Sequence, residues 1–293
     1  MKKSVSEWIF TVFNYFILIL LAALCVLPFI HIIALSLSKS SAVSAGYVKL
    51  WPVEFTTYAY QFVMSRTAFW EAFVVTIQRV LLGGVINMVL VIMAAYPLSK
   101  EVSAFKPRTV YVWFFFITML FAGGIVPLYL LLHQLKLLNT MWALVLPTAL
   151  PVYNLILMLN FFRQIPKELD EAAFVDGALP FRVLWSIYVP CSLPAVATVA
   201  LFTIVFHWNA WFDGIIYMNE TSNYPLQSYL QTVIVGMKFS MADAGGTFSR
   251  LRELSNRSVR SAQVIIAAIP VLLVYPLLQK YFVKGIVLGG VKG

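Results

Sequence analysis

The sequence predicts an all-α integral membrane protein with six transmembrane helices, and three observations carry that prediction. Hydrophobic residues make up 61% of the 293 residues and charged residues 11%, against about 45–50% and about 25% in ordinary globular proteins. A soluble fold of this length has no way to hide so much apolar surface, so lipid must be part of its solvent. Six stretches are long and neutral enough to cross a bilayer, which needs about 20 apolar residues per helix. The basic residues fall between these stretches, so the net charge of +9 is the pattern of topology-setting loops rather than of a nucleic-acid surface. Cys25 in an apolar run and Cys191 beside Pro190 cannot build a disulfide framework or a CxxC metal knuckle.

The first span, 8–38, carries no formal charge. It follows Met1-Lys2-Lys3 and so imitates a signal peptide, but it far exceeds the about 7–15 apolar residues of a signal and is read as a retained helix. The second, 73–99, holds Arg79 near its outer end; the third is 109–132, the fourth 142–162, the fifth 194–217 and the sixth 262–282. Pro28, Pro97, Pro127, Pro147, Pro151, Pro270 and Pro276 lie in or near them, which membrane helices tolerate when neighbours satisfy the freed carbonyls. An even number of spans puts both termini on one side. Short loops holding Lys100, Lys106, Arg108, Arg163, Lys167 and Arg182 are denser in positive charge than the longer loops opposite, which places both termini in the cytoplasm. One transmembrane domain, 1–293, then has outer loops 39–71 and 218–261, an inner loop 163–185 and a cytoplasmic tail 283–293. Within the second outer loop, 225–237 (PLQSYLQTVIVGM) reads as a short interfacial helix.

Catalytic chemistry is missing. No GxxxxGK[ST], HExxH, GxSxG or dinucleotide-binding GxGxxG occurs. His31, His133 and His207 are far apart in sequence and read as hydrogen-bonding residues rather than metal ligands, so no metal site is expected. Asp213, in WNAWFDG, is the one acid near the membrane and reads as an interface residue facing water or pairing with a loop arginine. Trp208 and Trp211 beside it suit an aromatic belt.

The inner loop carries a clearer signal. Pro166 ends the fourth span, and Lys167 to Val175 are good helix formers with acids in the first turn. Gly177 is a natural stop and Pro180 prevents continuation. A short separate helix follows, with Leu169, Ala172, Ala173 and Phe174 near one face and Glu171 offering a charge. Periodicity alone leaves open whether it docks on a partner or is merely solvated.

The segment EAAFVDGALPFRVLWSIYVPCSLPA resembles the EAA loop of ABC-importer membrane subunits. The matching positions are Glu171, Ala172, Ala173, Asp176, Gly177, Ile187 and Pro190, with Val189 where leucine is usual. The C-terminal stretch from Lys280 to Gly293 is similar to the tail of maltose-importer-like sugar permeases. Within that family the chain resembles the branch that takes polysaccharides and uronate oligosaccharides, alginate among them. The resemblance implies a cytoplasmic EAA coupling helix between spans 4 and 5 of a bacterial inner-membrane protein. It implies a second homologous membrane subunit, two ATPase subunits and an extracytoplasmic solute-binding protein. ATP and Mg would sit on the ATPase, with no cofactor and no catalytic residue in this chain. Glu171, Ala172, Ala173, Asp176 and Gly177 would couple to the ATPase, whose dimer Lys284, Gly285 and Lys292 would also touch. Closure of that dimer would rock the spans between inward- and outward-open states, and the loop 218–261 would reach into the binding protein.

Arg250, Arg252, Arg257 and Arg260 cluster in SRLRELSNRSVR, with Glu253 as a local partner. A polyanionic sugar or an acidic binding-protein surface would be drawn to such a patch, and a solvated loop held by local ion pairs explains it equally well. The resulting expectation is the membrane subunit of an ATP-driven importer of oligosaccharide or polysaccharide, with anionic substrates favoured over neutral ones. Its rivals are an ion-coupled secondary carrier, which would need midplane coupling groups, and a membrane-bound enzyme, which would need a convergent catalytic set.

Overall fold

The structure, a computed structural model, describes residues 5–121, 123–232, 257–274 and 276. Among them the backbone is almost wholly helical. The helices are α1 (Val5–Ser36), α2 (Ser40–Ser44), α3 (Tyr58–Met64), α4 (Thr67–Ser99), α5 (Arg108–Leu120), α6 (Ile125–Gln134) and α7 (Met141–Val145). There follow α8 (Val152–Phe162), α9 (Lys167–Val175), α10 (Pro180–Val183), α11 (Val189–Cys191), α12 (Leu193–Asn209) and α13 (Phe212–Tyr217). Helix α14 covers 226–232 and α15 is Arg257–Val274.

Among the described residues three helices are long and apolar enough to cross a membrane by themselves, Glu7–Ser36 within α1, α4 and α15, and six spans result if each of three bent pairs counts as one. The bends explain why several expected spans are not single rods. The third stretch leaves the helix at the extended Phe121 and resumes at Ile125 after Gly124, whose φ of 85° suits glycine. The fourth bends by 48° where Pro147 and Pro151 remove backbone donors. The fifth bends by 85° between Pro180–Cys191 and α12, which ends at Asn209 before α13 restarts beyond the extended Ala210. Helix α4 begins well before Phe73, so Glu71 belongs to it rather than to the preceding loop, and α15 likewise begins before the expected 262. The expected helix 225–237 is present over 226–232; its remainder lies outside the described residues, as do 277–282 of the sixth span.

The chain divides into two compact units, Met1–Phe69 with Thr232–Ile269, and Trp70–Gln231 with Pro270–Gly293. In the first, α1 exposes nearly all its side chains, and a small core of Ala34, Ala42, Val43 and Val48 closes the α1–α2 corner. Ser38 organises that corner: its hydroxyl donates to Ala34 O at 2.6 Å and accepts from Val53 N at 3.0 Å. The second unit has two cores. The larger joins Val91, Ile92, Ala95 and Tyr96 of α4 to Leu155, Met158, Leu159 and Phe162 of α8, Tyr188, and Ala195 and Val199 of α12. The smaller holds Leu132, Ala143, Leu144, Tyr217 and Met218.

Candidate functional site

Helix α9 is built by local signals and held by very little core. Pro166 stands at its N-cap, and Glu168 and Asp170 in the first turn suit the positive end of the helix dipole. Gly177, at φ 75°, terminates it: its N–H donates to Phe174 O at 3.0 Å and the next N–H, of Ala178, to Ala173 O at 2.9 Å, a left-handed cap that glycine adopts without penalty. The helix spans the same Lys167–Val175 that the sequence indicates. Only Asp170 and Ala173 are partly buried; Ala173, with Ala178, packs on the larger core of the second unit. The expected face is therefore split, with Ala173 turned inward while Leu169, Ala172 and Phe174 stay exposed with Glu171 and Asp176. Next to them Val175 is 87%, Leu179 73% and Phe181 63% exposed. Beside the exposed charges of Lys167, Glu168 and Glu171, these side chains leave an apolar patch uncovered.

Polar contacts tether α9. Asp170 forms an ion pair with Lys100, just beyond the C-terminal end of α4, and both side chains are largely buried, at 15% and 16% exposed. The Lys100 ammonium also donates to the Tyr188 hydroxyl at 2.8 Å, which in turn donates to Asp170 Oδ2 at 2.8 Å. The same ammonium lies 4.3 Å from the Tyr96 ring centroid and 4.1 Å from that of Tyr188, a two-sided cation–π arrangement. Burial lowers the Lys100 pKa, and the neighbouring Asp170 partly opposes that. A second pair, Lys167 with Glu101, is exposed on both sides and is a weak tether.

A cavity of about 540 Å³ lies in the second unit, lined by Asn87, Pro147, Thr148, Leu150, Pro151, Tyr153, Asn154, Phe202, Thr203 and Phe206. Asn87, Asn154 and Thr203 are buried there. Asn87 Nδ2 donates to Thr148 O and Ala149 O, both at 3.0 Å, while its Oδ1 accepts no hydrogen bond. Asn154 Nδ2 donates to Thr203 Oγ1 at 3.3 Å. Tyr153, Phe202 and Phe206 offer exposed rings, and no charged side chain lines the space. Amides, a hydroxyl and aromatic faces without a charge are the chemistry of neutral hydroxylated ligands.

Arg79 and Asp213 answer each other. Arg79 is fully buried in α4 and pairs through both terminal nitrogens with both Asp213 oxygens at the start of α13, Nη1 to Oδ1 at 3.1 Å. Its remaining partners, Ala210 O, Leu144 O and His207 Nδ1, all lie at 3.5 Å. The expected partner for Asp213, a loop arginine, is thus replaced by an arginine inside a span-length helix. The His207 ring packs where a Cβ on Gly83 would come within 2.5 Å of its Nε2.

Of the arginine patch, Arg257 and Arg260 sit in the first turn of α15, the former exposed and the latter half-buried. Arg250, Arg252, Glu253 and the tail residues Lys284, Gly285 and Lys292 lie outside the described residues. Among the described residues no three His, Cys, Asp or Glu side chains gather as metal ligands. The sequence had not singled out Asn87, Lys100 or Asp170 for a role.

Residues 4–288 match the family described as "Binding-protein-dependent transport system inner membrane component". The chain is 36% identical over 97% of its length to the polygalacturonan/rhamnogalacturonan transport system permease protein YtcP of Bacillus subtilis, covering 99% of that protein. It is 37% identical to Protein LplC of the same organism, over 100% of this chain and 98% of that one. A chain of a bacterial ABC transporter involved in the import of the acidic polysaccharide alginate superposes with a TM-score of 0.84 at 32% identity, covering 96% of this chain and 99% of that one. These relatives are transport permeases rather than enzymes, and in such systems ATP hydrolysis is done by separate subunits. The chain therefore belongs to the binding-protein-dependent inner-membrane transport components, as a multi-pass membrane subunit of an ABC importer.

Proposed function

We propose that this chain forms half of a translocation path for acidic polysaccharide fragments and that α9 is the element through which a cytoplasmic ATPase drives it. The observation that carries the reading is α9 itself: a capped helix exposed at every residue but Asp170 and Ala173, presenting Glu171, Ala172 and Phe174 beside the exposed Val175, Leu179 and Phe181. Small side chains let an opposing backbone approach, and Glu171 supplies a charge for an arginine or amide opposite. Two similar arrangements, one here and one on a second, homologous membrane subunit, would be pushed together as the ATPase dimer closes. Both termini lie in the cytoplasm in this reading. The segment 218–261 and its arginines then face the binding protein, and the tail from Lys284 meets the ATPase.

The substrate class rests on two relatives: one belongs to a polygalacturonan and rhamnogalacturonan transport system, another to an importer of alginate. The charge-free cavity supports a division of labour. Its amides and rings suit sugar hydroxyls and ring faces, leaving carboxylates to be met elsewhere.

The test uses the whole importer, purified with its ATPase and partner membrane subunit in nanodiscs. Stimulation of ATP hydrolysis by binding protein loaded with uronate oligosaccharides, and not with neutral ones, is the expected result. Stimulation by neutral sugars alone would overturn the substrate class. For the coupling role, Glu171→Lys should insert normally but lose ATPase on purification or lose transport; ordinary ATP-driven uptake by that variant would refute it.

A further inference from the structure

We infer that Lys100 is the positioning residue that makes α4 move with α9, so that a displacement of the coupling helix reaches the second span through one buried polar knot. The inference rests on the reading of α9 as the ATPase-driven element. Its own basis is the geometry of the knot.

A helix pushed from outside transmits force only through what holds it. Helix α9 offers a half-buried Ala173 and the neighbouring Ala178 to the core, and alanine side chains resist sliding poorly because they interdigitate little. The exposed Lys167–Glu101 pair is screened by water and holds little. What remains is Asp170. Its carboxylate meets Lys100 and Tyr188 in one triangle of charge-assisted contacts, each leg tying a different element: α9 through Asp170, the C-terminal end of α4 through Lys100, and the π-helical turn Leu184–Tyr188 ahead of α12 through Tyr188.

The surroundings make the triangle stiff. Tyr96 and Tyr188 face each other edge-on at 4.9 Å, and Tyr188 meets Phe162 of α8 at 5.3 Å. The ammonium is thereby held between two rings that are themselves locked in the core, and the methylene stem of Lys100 has little room to swing. Directly behind it, Pro97 interrupts the α4 ladder, and the Leu98 carbonyl is taken by Arg108 Nε at 2.9 Å. Helix α4 thus ends in a segment anchored sideways rather than frayed. Further back along it stands Arg79, so one helix runs from this knot to the Asp213 pair at α13. Push on α9, and the first long rigid body met by a charged contact is α4.

The experiment compares coupling, not mere activity. Lys100→Met, Lys100→Arg and Tyr188→Phe importers are purified with the native partners in nanodiscs, and substrate transported per ATP hydrolysed is measured with binding protein present. Glu171→Lys runs alongside. Lys100→Met is expected to keep the ATPase bound and hydrolysing while transport per ATP falls between about twofold and thirtyfold, the range of coupling that single residues carry between sites. Lys100→Arg, which keeps a cation for the carboxylate and rings, should recover most of the ratio. Tyr188→Phe removes one hydroxyl from the core without removing its ring, so it should fold even where Lys100→Met does not, and should show a smaller fall. A merely structural lysine would lower yield or stability but leave the ratio alone. Wild-type ratios in Lys100→Met, or in Tyr188→Phe should the former fail to assemble, overturn the inference while a defective Glu171→Lys leaves the coupling role of α9 standing. Wild-type behaviour of Glu171→Lys would instead remove the reading on which the inference rests.

Discussion

Removing the Asp213 carboxylate should destabilise the protein far more than removing the Arg79 guanidinium, although the two form one ion pair. The asymmetry comes from burial: the Arg79 side chain is fully buried and that of Asp213 is 23% exposed. In Asp213→Ala the guanidinium keeps only the carbonyls of Ala210 and Leu144 and the His207 ring, all at 3.5 Å, the outer limit of a hydrogen bond. An uncompensated buried charge costs about 3–5 kcal/mol. In Arg79→Met the charge goes with the side chain, and Asp213 keeps the Gly214 N–H at 2.9 Å and its access to solvent, so the cost falls to about 1–3 kcal/mol. A gap of about 2 kcal/mol corresponds to roughly 4–8 °C in melting temperature at the 2–4 °C per kcal/mol of larger domains. Thermal unfolding of the two variants in nanodiscs, followed by tryptophan fluorescence, measures it. The double variant should melt above Asp213→Ala alone, because it removes the orphaned charge. If Arg79→Met melts at or below Asp213→Ala, the burial argument is wrong.

Three further outcomes are expected. Gly83→Ala drives a methyl group into the His207 ring, with Cβ contacts of 2.5 to 2.9 Å, and should cost about 1–3 kcal/mol of stability; Gly83→Ala combined with His207→Ala should regain part of it in the same melting assay. Thr203→Val removes the hydroxyl that Asn154 uses while keeping the volume, so it should raise the substrate concentration at half-maximal transport without changing ATPase binding. The Glu101–Lys167 pair lowers the pKa of Glu101 and raises that of Lys167, so its support of α9 holds between the ordinary values of 4.5 and 10.5. That support is lost as pH falls through the depressed Glu101 value or rises through the elevated Lys167 value. Amide exchange of α9 near neutral pH should therefore change little in Lys167→Ala, since both partners are exposed; a large loss of protection would show that this pair, not Lys100–Asp170, holds the helix.

Local signals were legible and pairings were not. Helix α9 reads correctly to the residue because Pro166, Gly177 and Pro180 act within a turn of where they stand. The breaks inside the spans are harder: Pro127 and Pro147 both sit in apolar runs, and nothing nearby in sequence says which carbonyls find a donor on another helix. Asp213 was read as water-facing or loop-paired because the partner that holds it stands in another span, 134 residues away. Both residues had been placed near the outer ends of their spans, so opposite charges at matching depth were the clue. Lys100 and Asp170 carried the same clue on the other side. Two charges bounding different apolar runs do not announce contact, because depth is encoded in sequence and lateral neighbourhood is not.

The hold of Asn87 on two freed carbonyls has an evolutionary corollary. In a bilayer an unsatisfied carbonyl is a liability of several kcal/mol, so the interruption of the fourth span at Leu150–Pro151 survives only with a donor lent by α4. Position 87 and the prolines 147 and 151 are then bound in one inherited bargain: loss of the amide should be poorly tolerated in a lineage that keeps the prolines and close to neutral in one that straightens the helix. Epistasis between these sites, visible in a library that randomises all three, would trace how a kink can be stored in one helix and secured from another.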